Sequence, residues 1–79
     1  MTKDILRNTL IEMGVPSMLY NLEGTGRTDE RFCLECTNNE WKVYFSERGV
    51  KTTNEIFSSE EEACQFIYEQ LFIERGIKN

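Results

Sequence analysis

Residues 31–49, RFCLECTNNEWKVYFSERG, decide the fold. From Arg31 the apolar period is two: Phe32, Leu34 and Cys36 alternate with Arg31, Cys33, Glu35 and Thr37, as in a half-buried strand. Asn38-Asn39 follows, a pair that tolerates the positive φ a two-residue hairpin turn demands. The alternation then resumes, with Trp41, Val43 and Phe45 against Lys42, Tyr44 and Ser46. This pattern predicts an antiparallel hairpin with one apolar face built from Phe32, Leu34, Trp41, Val43 and Phe45. The other face carries Cys33, Glu35, Lys42, Tyr44 and Ser46.

Downstream, Ser46-Glu47-Arg48-Gly49 turns the chain, and Val50 to Phe57 is long enough for a third strand. It is more polar than the other two, as suits an edge strand, and it adds Thr53 and Glu55 to the outer face. Ser58 or Ser59 then opens a helix, with Glu61 or Glu62 at capping-box spacing. Its stripe is Ala63, Phe66, Ile67, Gln70, Leu71 and Glu74, with Tyr68 and Phe72 at the margin and Gly76 as the stop.

Upstream, residues 2–13 read as a helix capped by Thr2, with Asp4 in its first turn and Ile5, Leu6, Leu10 and Met13 on one side. Gly14 and Pro16 end it. Residues 15–30 show no sustained period. Met18, Leu19, Tyr20 and Leu22 are apolar enough to lie across the core, and Gly24-Thr25-Gly26-Arg27 reads as a turn. The expected fold is one α+β domain over residues 1–79: a three-stranded antiparallel meander with an N-terminal and a C-terminal helix, α-β-β-β-α.

Composition bounds the chemistry. The 79 residues contain no histidine, the commonest proton carrier near neutral pH and the commonest metal ligand. Zinc hydrolases, Ser-His-Asp triads and Cys-His nucleophiles are thereby excluded within these residues. The reading is a binder and not an enzyme, with no cofactor and no metal. Cys33-Leu34-Glu35-Cys36 has C-x-x-C spacing, yet strand alternation sends the two thiols to opposite faces, and only Cys64 remains as a further ligand. Packing is the simpler role for all three. The glycines at 24 and 26 lead into a strand and lack the Gly-Lys-Ser/Thr ending of a phosphate loop. Glu60-Glu61-Glu62 suits the positive end of a helix dipole, with a recognition patch as its other reading.

Net charge is −5, distributed as zero over residues 1–20, −2 over 21–58 and −3 over 59–79. Such a chain repels nucleic acid and anionic membranes and is steered towards a basic partner. The opening MTKDILRNTLIEMG is not a secretory signal, no run approaches a membrane span, and three cysteines fit reduced thiols. The expected location is cytoplasmic, and the expected state a monomer or weak homodimer.

Four stretches, Leu19–Leu22, Glu30–Glu35, Trp41–Gly49 and Ser59–Cys64, resemble small bacterial immunity proteins of polymorphic toxin and contact-dependent inhibition systems. The resemblance runs from Gly14 to Leu71, most distinctively in W-x-V-Y-[FY]-S-E-R-G and S-E-x-E-A-C. It implies a cytoplasmic protein that binds and neutralises a cognate toxin domain, and it carries no set of toxin-contacting residues. Those are read from charge and residue type. Glu23, Asp29, Glu30 and Glu47 would approach a basic cleft, Tyr20 and Tyr44 would add buried area, and Arg48 would give a directional contact. The competing reading is a regulatory domain that self-associates through its open sheet face or edge.

Overall fold

A computed structural model describes residues 1–23 and 29–74 of the chain. Helix α1 spans Lys3–Glu12, strand β1 Tyr20–Asn21, β2 Arg31–Thr37, β3 Glu40–Glu47, β4 Val50–Phe57 and helix α2 Glu60–Glu74. A short 3-10 turn, Ser17–Leu19, precedes β1. The expected turn at residues 24–27 and the stop at Gly76 lie outside the described residues.

The central hairpin forms in the expected register. Phe32 faces Phe45, Leu34 faces Val43 and Cys36 faces Trp41. Asn38 and Asn39 both take positive φ, 53° and 66°, as a mirror-image type I turn needs. Helix α1 is capped by Thr2, whose side chain accepts from the Ile5 N–H, and it ends in a Schellman motif. There Val15 donates to the Leu10 carbonyl and Gly14 to that of Ile11, with Gly14 at φ 76°. Helix α2 begins at Ser59, whose Oγ accepts from the Glu62 N–H at 3.2 Å. Glu60 ties the two helices together: its carboxylate accepts from the Lys3 N–H at 2.7 Å, an amide at the unpaired start of α1.

Leu6 and Leu10 of α1 join Ala63, Cys64, Ile67 and Leu71 of α2 over Phe32, Leu34, Val43 and Phe45 in one buried cluster. Each fully enclosed Leu, Ile or Phe there is worth roughly 1.5–3 kcal/mol relative to exposure. The rings of Phe32 and Phe45 meet at 5.0 Å and those of Phe57 and Phe66 at 5.3 Å. Cys64, outside the expected stripe, is fully buried, Gln70 is only partly buried, and Ile5 turns outward into solvent.

Two features depart from the expected meander. The sheet has four strands in the order β1-β2-β3-β4, and β1 runs parallel to β2, pairing Tyr20 with Phe32 and Asn21 with Cys33. The sheet is therefore mixed, and the two-residue β1 is too short to leave a period in the sequence. The second departure is in β4. Phe45 pairs with Thr53, yet Ser46 pairs with Lys51, so Thr52 is one residue extra, a β-bulge whose hydroxyl donates to the Phe45 carbonyl at 3.4 Å. Beyond it every side chain changes face. Thr53 and Glu55, expected on the outer face, stand opposite Phe45 and Val43, and Phe57 is brought beside Trp41 against the core.

Candidate partner-binding surface

The turn Ser17–Leu19 lifts Met18 out of the core, leaving it 63 % exposed. Beside it lies an open groove of about 830 Å³ lined by Met18, Leu19, Asp29, Glu30, Arg31, Phe45 and Glu47. The backbone fixes its acidic rim. Asp29 forms an isolated parallel bridge with Ser46, and the Glu30 N–H donates to the Ser46 carbonyl. Glu30 takes φ 56° to do so, a left-handed conformation that disfavours a side chain by about 1–2 kcal/mol. Two acids from the start of β2 are thus pinned next to Glu47 at the end of β3. Among the described residues none of these three carboxylates belongs to an ion pair. Among the described residues the groove's cation is Arg31, whose guanidinium donates to the Ser17 carbonyl at 3.4 Å.

Arg31 also borders a second groove, of about 550 Å³, between α1 and β1. Tyr20 and Leu22 contribute to its lining, with Ile11, 60 % exposed, at its edge. Its charges are already engaged, because Arg7 bonds Asp4 at 2.7 Å and also bonds Glu23. Those contacts, Asp4 first, raise the guanidinium pKa further and keep it charged. The pairs are exposed and worth little in stability, about 0–1 kcal/mol each. They leave the second groove with an apolar floor and a neutralised rim.

Of the residues assigned to partner binding from the sequence, Asp29, Glu30 and Glu47 share the first groove and Glu23 borders the second. Arg48 is exposed next to Glu47 in the turn to β4, at φ 52°. The two tyrosines are placed otherwise. Tyr20 is 9 % exposed and packs in the core cluster. Tyr44 is 8 % exposed, paired across the sheet with Cys33, with the Lys51 ammonium 4.4 Å from its ring centroid. A lysine stem laid over an aromatic ring covers that side of the sheet without a third layer. The outer face is consequently not the open surface the alternation implies: Cys33, Tyr44 and Ser46 are all buried. Sequence reasoning did not assign Met18, Leu19 or Phe45 to the site. The available signal was the lack of period around Met18, an apolar residue belonging to no amphipathic face.

Cys33 and Cys64 are buried and Cys36 is exposed, all as free thiols. Burial pushes Cys33 up, and burial followed by the nearby Glu60 charge pushes Cys64 up to about 11. Both stay protonated at neutral pH, whereas the thiolate is the reactive and metal-binding form. Among the described residues no group of three His, Cys, Asp or Glu side chains is disposed to hold a metal ion. No helix among them is long and apolar enough to cross a membrane. Comparison with protein-family models, with curated proteins and with solved structures gives no match.

Proposed function

We propose that this chain is a cytoplasmic immunity protein that binds a cognate bacterial toxin domain and neutralises it by occlusion, without catalysis. The observation that carries the reading is the acidic groove: Asp29, Glu30 and Glu47 border it together with Met18, Leu19 and Phe45, and among the described residues none of the three carboxylates forms an ion pair. A toxin that cleaves or modifies nucleic acid presents a basic cleft to its substrate's phosphates. A surface with fixed, unpaired carboxylates competes for such a cleft and speeds the encounter, while the apolar floor slows dissociation. The chain's net charge of −5 acts in the same direction. In this reading Glu23 and Arg48 sit at the periphery of the contact and Tyr20 lines the second groove, while Tyr44 lies on the other face of the sheet under Lys51.

The test begins with the neighbouring reading frames, where the proposal expects a large exported protein with a toxic domain. Its toxic domain, produced in a bacterial host, should arrest growth alone and permit growth when this chain is co-produced. Continued arrest despite soluble chain overturns the proposal. Self-association is the second reading, and the exposed Val50 and Ile56 on the open β4 edge favour it. Light scattering at micromolar concentration separates the two, since a stable homodimer without toxin binding would select the second.

A further inference from the structure

Both grooves are walled by the turn Ser17–Leu19 and meet at Arg31, so they form one surface with two unlike halves. We infer that this surface is bipartite and takes a polypeptide segment carrying a lysine or arginine close to an apolar side chain. The cation lodges among Asp29, Glu30 and Glu47, and the apolar side chain enters the neighbouring groove over Tyr20 and Leu22. The inference rests on reading this face as the partner surface, and it specifies the chemistry of what binds there.

Charge identifies the first half. Three carboxylates surround the groove, and Arg31 is turned to a backbone carbonyl. A further cation relieves the repulsion among them. The floor identifies that cation as one on a long stem: a bare ion finds no ligand cluster here, whereas the methylenes of Lys or Arg can lie along exposed Met18. A methionine thioether adapts to either stem. Among the described residues the charges of the second half are engaged, Arg7 by Asp4 and Glu23 and Arg31 by the Ser17 carbonyl. What it leaves unsatisfied is apolar area, including Ile11. Nucleic acid fits neither half, since its phosphates would meet the carboxylates.

Two acetylated and amidated peptides test this, each an extended Gly/Ser octapeptide with two lysines, one with a leucine adjacent to a lysine and one with serine in its place. Amide and methyl NMR shifts on the 15N,13C-labelled chain report where each binds. The leucine peptide should shift Met18, Glu30 and Glu47 together with Ile11 and Leu22. The serine peptide should shift the first set alone, with weaker affinity. Glu30→Lys/Glu47→Lys should weaken both peptides roughly tenfold or more. Ile11→Asp, a second variant at an exposed position bordering the apolar groove, should lose the leucine peptide's advantage while melting as the parent does. Equal affinity of the two peptides, shifts confined to other faces, or undiminished binding by the charge-reversed variant would overturn the inference. The same variants measured against the toxic domain separate this result from the previous one. Toxin binding that survives both variants removes the bipartite surface and leaves immunity standing. Peptide binding as described without toxin binding does the reverse.

Discussion

Cys64 has no exposed surface, and its thiol is raised to about 11 by burial and then by the nearby Glu60 carboxylate. A folded-state pKa above the unfolded one favours the fold while the group is protonated. The contribution is complete below the ordinary thiol value and is lost as pH rises through about 11. Cys33 and Tyr44 are raised too, chiefly by burial, so their slopes have the same sign. Stability measured by urea unfolding should fall by roughly 2 kcal/mol across the alkaline range, and Cys64→Ala should flatten the curve even if its midpoint drops. An unchanged slope in that variant would mean the thiol is hydrated. Other residues show what single positions do and do not disclose. Asn38, Asn39 and Gly14 are types that favour positive φ, and the turns they mark were legible. Glu30 and Arg48 adopt the same region with side chains that give no such signal. There the partner, the Ser46 carbonyl for Glu30, is supplied by a distant strand.

At the scale of elements, Thr52 decides which side of β4 meets the core. Unbroken alternation from Val50 places Thr53, Glu55 and Phe57 outward, which is why the sequence reads that way. The bulge reverses the order and gives Phe57 to Phe66. Nothing in Thr52-Thr53 marks a bulge, so this feature was not legible, and neither was the parallel β1. Strand lengths, both helices and the hairpin were, because each repeats its period over two or more turns or pleats. Deleting Thr52 should remove the bulge while leaving Thr53 opposite Phe45 and Phe57 opposite Trp41, so stability should change by about 1 kcal/mol or less. The straightened edge should also self-associate, since a bulge is one way edge strands avoid pairing with other chains. Urea unfolding and light scattering read the two effects, and a deletion variant as monodisperse as the parent, or one that loses several kcal/mol, would contradict this role for the bulge.

At the scale of the whole molecule, charge was legible and its placement was not. Counting acids identifies a chain drawn to basic partners, but the meeting of Asp29 and Glu30 with Glu47 depends on β2 lying beside β3 and on the bond to Ser46. Both tyrosines are largely buried, Tyr20 in the core cluster and Tyr44 on the outer face under Lys51, because so small a sheet covers its large aromatic residues wherever it can. Met18 goes the other way, leaving the core to floor the groove. The proposal is that the carboxylates fixed on this face, free of ion pairs among the described residues, hold a basic toxin domain. Its most direct test is the dissociation constant of the purified complex from about 50 mM to about 1 M salt, for the parent and for Glu30→Lys/Glu47→Lys. Parent affinity should fall steeply as salt rises, and the variant should start roughly tenfold or more weaker, with little further salt dependence. A complex equally tight at both ends of the range, or untouched by the charge reversal, would contradict it.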